Sequence, residues 1–190
     1  RRAEWLQEIG TLRAGLPKHL LDGEMLCAFA KTYRAFADYP RAIELYREAL
    51  LAEEANVSLQ DVQKLANLES RHARQLWVSG QKEEAWKLSE TSNERLAALL
   101  TVGHTSERLS LTGGNHKRLA WMADGETRRH HLAEAEKHYR SAYELTLERT
   151  NAVDAYSALN WVTFEYLLKE PAAAARGSKS RKSVKADPKQ

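Results

Sequence analysis

Residues 23–56 read GEMLCAFAKTYRAFADYPRAIELYREALLAEEAN, and this stretch decides the fold. Its apolar residues recur at three- and four-residue spacing in two runs, Leu26, Phe29, Ala30 and Tyr33, then Ala42, Leu45, Tyr46, Ala49 and Leu50. That spacing is typical of one face of an α-helix. Pro40 follows a polar turn at a position where the first turn of a helix tolerates a missing N–H. The stretch therefore predicts two antiparallel helices joined by a tight turn.

The same pattern of apolar stripes and polar breaks continues towards the C-terminus. Ser58, with Asp61 three residues later, predicts a helix start, because its side chain can accept from first-turn amides. Further breaks occur at Ser79-Gly80 and at 124–127. Asn151 together with Asp154 is expected to cap a last helix that ends near Lys169.

On the N-terminal side, Trp5, Ile9, Leu12 and Leu16 are predicted to share one face of a helix over residues 3–16. The chain has only nine glycines and four prolines among its 190 residues, a composition typical of long helices rather than of sheets and tight turns. The sequence thus predicts an all-α fold of about seven antiparallel helices.

The positive net charge is concentrated in the last residues. Residues 176–190, RGSKSRKSVKADPKQ, hold six Lys or Arg and one Asp, so residues 1–175 carry 23 basic and 25 acidic groups. Because the rest of the chain is nearly balanced, its overall charge of +3 does not by itself indicate nucleic-acid binding. We expect a helical repeat domain over residues 1–170 and a disordered basic tail or linker over 171–190.

The single cysteine, Cys27, cannot form an internal disulfide, which favours a reducing, cytoplasmic location. No apolar run approaches the ~20 residues that cross a bilayer, and the start lacks a signal-peptide core, so no membrane association is expected. The sequence does not begin with Met, and we therefore expect a fragment of a longer protein.

The helix pair is repeated along the chain, which is typical of arrays whose units must stack to bury their apolar faces. Ala30 and Ala42 lie twelve residues apart, Ala73 and Ala85 keep that spacing, and a third unit pairs Gly113 with Ala135 at twenty-two. Residues 23–56 resemble the tetratricopeptide repeat, whose unit is about 34 residues. The resemblance extends loosely over residues 3–170 and implies a superhelical solenoid that binds another protein.

Two segments show a narrower resemblance. ERLSLTGGNHKRLA at 107–120 and DAYSALNWVTFEYLL at 154–168 are similar to tetratricopeptide regions of bacterial proteins that carry a caspase-like CHAT protease, and to regulatory regions of some MAP kinase kinase kinases. This resemblance implies a docking or sensing region beside an effector domain of a larger bacterial protein. Other domains of that parent chain would then be among the partners.

No catalytic group, cofactor or metal is expected. Gly113-Gly114 lies in a helical pattern without a preceding strand, which favours close helix packing over a phosphate loop. His130, Glu134 and His138 fall at i, i+4 and i+8, a spacing that could bind a metal ion, but their expected solvent-facing position favours a solvated stripe. Cys27 is expected to be a packing residue. The fold class implies an open binding surface and no enzyme activity.

In tetratricopeptide arrays the first helix of each pair lines the concave groove. The resemblance assigns six residues to that groove, namely Lys31, Arg34, Arg74, Trp77, Lys117 and Trp161. Such cations and indoles suit an acidic protein segment with a large apolar anchor, although the two tryptophans could equally pack between repeats. Nucleic-acid binding through groove and tail cations, and an enzyme whose catalytic domain lies elsewhere in the parent chain, are the alternatives. Cys27 occupies the first lysine position of the family's chaperone clamp, which disfavours chaperone docking.

Overall fold

The computed structural model describes residues 1–52 and 55–169, and within them the chain is entirely helical, without a β-strand. Eight α-helices follow one another: α1 Arg2–Gly15, α2 Gly23–Ala35, α3 Tyr39–Leu51, α4 Leu59–Val78, α5 Lys82–Val102, α6 Ser106–Met122, α7 Gly125–Thr150 and α8 Ala155–Lys169. A short 3-10 helix, Lys18–Leu20, lies between α1 and α2. The all-α prediction is confirmed, with eight helices instead of about seven. The tail expected at 171–190 lies outside the described residues.

Side-chain caps fix where several helices begin. Ser58 Oγ accepts a hydrogen bond from the Asp61 amide at 3.1 Å, as predicted for the start of α4. The prediction for the last helix was half wrong. Asp154 caps α8 by accepting from the Ser157 amide at 3.2 Å, whereas Asn151 ends α7 in the left-handed conformation, with φ of 52°. An asparagine tolerates that conformation, so it can terminate a helix where a glycine is commonly found.

The repeat alanines are buried in the interior of the array. Ala30, Ala42, Ala73, Ala85 and Ala135 are all completely buried, which confirms the alignment of the units. In the third unit, Gly113 and Ala135 are separated by more residues than in the first two. The connection between α6 and α7 is only Ala123-Asp124, so the additional residues extend the two helices rather than the loop.

The apolar core is divided into three clusters along the array. The N-terminal cluster joins α2, α3 and α4, and Tyr46 and Leu65 lie within it. The central cluster, Ala66, Leu96 and Leu99, joins α4 to α5. The C-terminal cluster, Ala135, Tyr139 and Phe164, joins α7 to α8. No helix in the described ranges is long and apolar enough to span a membrane.

Helix α1 packs with a different face from the one predicted. Leu6, Ile9 and Leu16 lie against the N-terminal cluster, whereas Trp5 and Leu12 are exposed. Leu6 and Ile9 are three residues apart on one face of α1, and Leu16 follows directly after the helix in extended backbone. The predicted stripe was therefore wrong for Trp5 and Leu12, whose side chains are exposed.

A buried carboxylate joins three successive helices. Glu69 of α4 is wholly buried and accepts from Arg47 Nη2 of α3 at 2.9 Å and from Arg95 Nε of α5 at 3.0 Å. The two guanidinium groups supply the partners that a buried charge requires. Glu69 thus holds the first and second repeat units together through polar contacts.

Helices α6 and α7 approach closely at Gly113. A Cβ placed on Gly113 would lie 2.9 Å from Tyr139 Cδ2, inside any normal carbon–carbon contact. The Tyr139 ring is completely buried and stacks on Phe164, with ring centroids 5.9 Å apart. The packing interpretation of Gly113 is confirmed, because only a residue without a side chain leaves room for this ring.

Candidate ligand-binding site

A concave pocket of about 430 Å³ lies between α4, α6, α7 and α8. Its wall combines four cations with four aromatic rings, Arg74, Lys117, Arg118, Arg128, Trp121, Tyr139, Tyr156 and Phe164. Apolar side chains, including Leu132 and Leu167, complete it. None of the described residues that line it is acidic. We call this concavity the basic pocket.

Aromatic rings and a neutral amide position two of the cations. The Arg74 guanidinium lies over the Trp121 ring, 5.7 Å from its centroid. Lys117 Nζ donates to Asn160 Oδ1 at 3.0 Å and lies 5.8 Å from the Phe164 centroid. Such cation–π contacts orient a charged group without neutralising it. The positive charges remain available to a ligand.

Arg118 is the most confined of the four cations. Its Nη1 donates to Ser70 Oγ and to the Gly114 carbonyl oxygen, both at 3.0 Å, and these acceptors are neutral. Burial lowers the pKa of Arg118, and the nearby charges of Arg71 and Arg74 act in the same direction. Within residues 1–52 and 55–169, none of the four pocket cations forms an ion pair with a carboxylate.

A second concavity adjoins the basic pocket towards the N-terminus. Its volume is about 560 Å³, and Tyr39, Arg71, Arg74 and Arg118 are among its lining residues. Arg74 and Arg118 line both cavities, so the two adjoin, and together they are lined by residues from α3 to α8. We call the two cavities together the basic groove.

The structure brings together two of the six residues predicted for the groove, Arg74 and Lys117. Lys31 lies elsewhere, on α2, and its Nζ is 3.0 Å from Asp61 Oδ1. Burial of Asp61 would raise its pKa, but hydrogen bonds from Lys31, Ser58 and Lys64 outweigh that effect and lower it. The charge of Lys31 is therefore compensated within the fold. Arg34 is exposed on α2, outside both cavities.

The two predicted tryptophans also lie outside the basic groove. Trp77 is half-buried on α4, with Lys82 Nζ 5.2 Å from its ring centroid. Trp161 packs against the C-terminal cluster and lies 5.6 Å from the Tyr143 ring, and its buried indole N–H has no hydrogen-bond partner among the described residues. This placement is typical of a packing residue.

Sequence reasoning missed the tryptophan that does line the pocket. Trp121 is 54% exposed and lies four residues after Lys117, so both occupy one face of α6. That spacing could have identified it. No comparable signal exists for Arg128 or Phe164, because they come from α7 and α8 and reach the pocket only through the packing of three helices.

A cluster of histidines lies between α6 and α7. The expectation of a solvated stripe holds for His130, which is exposed, but was wrong for its neighbours: the His138 side chain is 16% exposed and that of Glu134 29%. These two side chains are partly covered by His116 of α6, whose ring stacks on that of His138 at 5.7 Å. Burial, with a smaller contribution from the neighbouring histidines, lowers the pKa of His116 to about 3.

Residues 38–165, more than half of the chain, match the family model described as TPR-S, Tetratricopeptide Repeats-Sensor. No curated protein and no solved structure matches the chain, so its narrower resemblance to CHAT-protease and kinase regulatory regions stays a prediction. The family match reaches every helix that contributes to the basic groove and ends within α8, two residues before Leu167 of the pocket wall. The chain belongs to the Tetratricopeptide Repeats-Sensor family.

Proposed function

We propose that this chain is a protein-interaction module whose basic groove binds an acidic segment of another protein. Membership of a tetratricopeptide-type family supports the general activity. The observation that carries the proposal is Arg118, a partly buried guanidinium with neutral hydrogen-bond partners and no described carboxylate. A buried charge without a counter-ion is costly. An acidic ligand would supply the missing partner.

The neighbouring cations support the same ligand charge. Arg74, Lys117 and Arg128 line the same pocket as Arg118, and no acidic side chain among the described lining residues offsets them. Like charges in one pocket repel one another, so an anion lowers the energy of the whole set. Arginine is also suited to a carboxylate, because it can bind both oxygens at once.

The aromatic wall adds a requirement for an apolar group. Trp121, Tyr156 and Phe164 form one side of the pocket, and Trp121 and Tyr156 are more than half exposed. A large apolar or aromatic side chain buried against these rings would act as the anchor that dominates many protein interfaces. The ligand should therefore combine carboxylates with at least one such side chain.

The length of the basic groove favours a protein segment over a small molecule. The groove runs from Tyr39 of α3 to Phe164 of α8, through two cavities that share Arg74 and Arg118. An extended or helical peptide fills such a path, as in other helix-lined grooves. We further propose that the parent protein is a larger cytoplasmic, bacterial one, in which this module serves docking or regulation.

The proposal can be tested by selecting binders to the full chain from a random peptide library. We expect enriched peptides to be rich in Asp and Glu and to carry a Trp, Phe or Leu. Arg128→Glu should weaken their binding about tenfold or more at low salt, because it replaces a cation that attracts the acidic peptide by a repelling carboxylate. The loss should be smaller at higher salt, since exposed charges are screened over ~10 Å at 0.1 M salt. Arg129→Glu is the matched control, since Arg129 is adjacent in sequence but does not line the pocket. Trp121→Ala should cost ~2 kcal/mol of binding energy with little salt dependence.

Three outcomes would contradict the proposal. Selected peptides without an acidic bias would mean that the pocket cations do not recognise the ligand. Equal binding to the wild type and to the Arg74→Glu/Lys117→Glu variant, with both proteins folded, would move the site away from the basic groove. Salt-dependent binding of random oligonucleotides that those substitutions abolish would assign the groove to nucleic acid instead.

A further inference from the structure

Three potential metal ligands converge between α6 and α7. His116, Glu134 and His138 each present a nitrogen or oxygen atom within 4.8 Å of the other two. Within the set, His138 Nε2 lies 3.7 Å from Glu134 Oε2, one helical turn away on α7. His116 comes from the opposite helix, so the set connects the two members of a repeat unit.

The burial of His116 has no ordinary structural explanation. The residue is 6% exposed, and its only hydrogen-bond partner in the described ranges is another imidazole, His131 Nδ1, 3.1 Å from its own Nδ1. Buried polar groups are normally satisfied by carboxylates, backbone groups or water. An apolar side chain would pack between α6 and α7 at a lower cost of desolvation, so the imidazole points to a ligand.

We propose that His116, Glu134 and His138 bind a zinc ion that links α6 to α7. Two imidazoles and one carboxylate form a donor set that zinc accepts, and three protein ligands leave a fourth position for water or another donor. Calcium and magnesium prefer oxygen donors and fit this set less well. The Glu-x-x-x-His spacing on α7 places both of its ligands on one face of the helix.

Only a small contraction is needed to form the site. Zinc bonds of about 2.0–2.1 Å in a tetrahedron place ligand atoms about 3.3 Å apart. The separation of Glu134 and His138 is already close to that value, and Glu134 is partly exposed and held only by long contacts, 3.8 Å to Lys137 Nζ and 3.7 Å to His138 Nε2. The zinc ion would thus replace a loose contact between two helices by direct bonds.

Two residues of the basic pocket directly follow the proposed ligands in sequence. Lys117 and Tyr139, which directly follow the ligands His116 and His138, both line the pocket. A zinc ion at this point would restrict how α6 and α7 move relative to each other and would hold these two side chains in place. The zinc proposal does not depend on which ligand the basic groove binds.

The test uses the untagged full-length chain, stripped of metal with a chelator and titrated with zinc chloride against a chromophoric zinc indicator. We expect one zinc ion per chain, and weakening by at least about tenfold in His138→Gln and Glu134→Gln, since even the outer partners of zinc ligands contribute about 10–100-fold. His116→Phe, which keeps the buried ring, should do the same. His130→Ala is the matched control, because it removes an exposed histidine next to the site.

X-ray absorption spectroscopy at the zinc edge of the zinc-loaded protein should show imidazole nitrogen and carboxylate oxygen among the atoms bound to zinc. Wild-type affinity equal to that of the Glu134→Gln and His116→Phe variants would overturn the proposal. So would an equal loss in His130→Ala, which would indicate binding to the exposed histidines. Glu134 is a partly exposed surface residue, so its substitution tests the site even if His116→Phe fails to fold.

Discussion

The contact between Gly113 and Tyr139 can be tested by adding a single methyl group. In Gly113→Ala the new carbon would meet the ring face of Tyr139 at 2.9 to 3.1 Å. The ring cannot easily move away, because it is completely buried, stacked on Phe164 and hydrogen-bonded to the Tyr156 hydroxyl at 3.2 Å. The substitution should therefore strain the packing of α6 against α7.

Two opposing effects set the magnitude. Overpacking of a core costs ~1–3 kcal/mol, whereas replacing glycine by alanine inside a helix gains ~1 kcal/mol. Gly113→Ala should thus lower the free energy of unfolding by up to ~2 kcal/mol. At Gly114, a Cβ would meet only Tyr139 Oη at 3.4 Å and Arg118 Nη1 at 3.5 Å, which are ordinary contacts. Gly114→Ala should therefore be stabilising by up to ~1 kcal/mol.

Urea unfolding followed by circular dichroism compares the two variants directly, and equal slopes are required for the comparison to hold. Because the helix-propensity gain is common to both, the difference between them, ~1–3 kcal/mol, isolates the contact with the ring. The difference should shrink in a Tyr139→Leu background, where the ring is absent. Equal stability of the two alanine variants would refute the described approach of α6 to α7.

Two further substitutions separate stability from binding. Glu69→Ala should lower the free energy of unfolding by about 3 kcal/mol, because it leaves two guanidinium groups without their shared carboxylate; a loss below ~1 kcal/mol in urea unfolding would mean that solvent screens these pairs. Arg118→Met should leave the thermal midpoint of the free protein unchanged or raised, since a buried charge is replaced by an apolar chain, while peptide binding falls about tenfold or more. Unchanged affinity in calorimetry would remove Arg118 from the site.

The fold could be predicted from the sequence because its determinants are local. Ala30 and Ala42 recur as Ala73 and Ala85 at constant spacing, and helix crossings depend on such small residues whatever the surrounding sequence. The cap at Ser58 is equally local, since donor and acceptor lie within one turn. The buried face of α1 could not be aligned with a repeat unit, so it was predicted from apolar periodicity alone. That periodicity fits both the predicted stripe and the one that contains Leu6 and Ile9.

The candidate site could be predicted only in part, because it depends on contacts between distant residues. Lys31 and Arg74 look alike in sequence, yet Lys31 is compensated by Asp61, thirty residues away, whereas Arg74 lies over the Trp121 ring and pairs with no carboxylate in the part of the chain that the structure describes. Sequence spacing does not link His116 to Glu134 and His138, because they lie on different helices. They come together where α6 approaches α7, close to Gly113. Sequence periodicity assigns faces to helices, but it does not give the distance between them.

The division of the core into three clusters determines how far a bound ligand would stabilise the chain beyond its binding site. In a repeat array each unit contacts mainly its neighbours, so opening of one end need not open the other. A ligand in the basic pocket would rest above the C-terminal cluster, where Tyr139 and Phe164 lie beneath it. Its binding would slow hydrogen exchange most for amides in α6, α7 and α8, while amides of α1 and α2, which contribute no residue to the basic groove, would exchange as in the free protein. The slowing of exchange would thus decrease along the array from α8 towards the N-terminus.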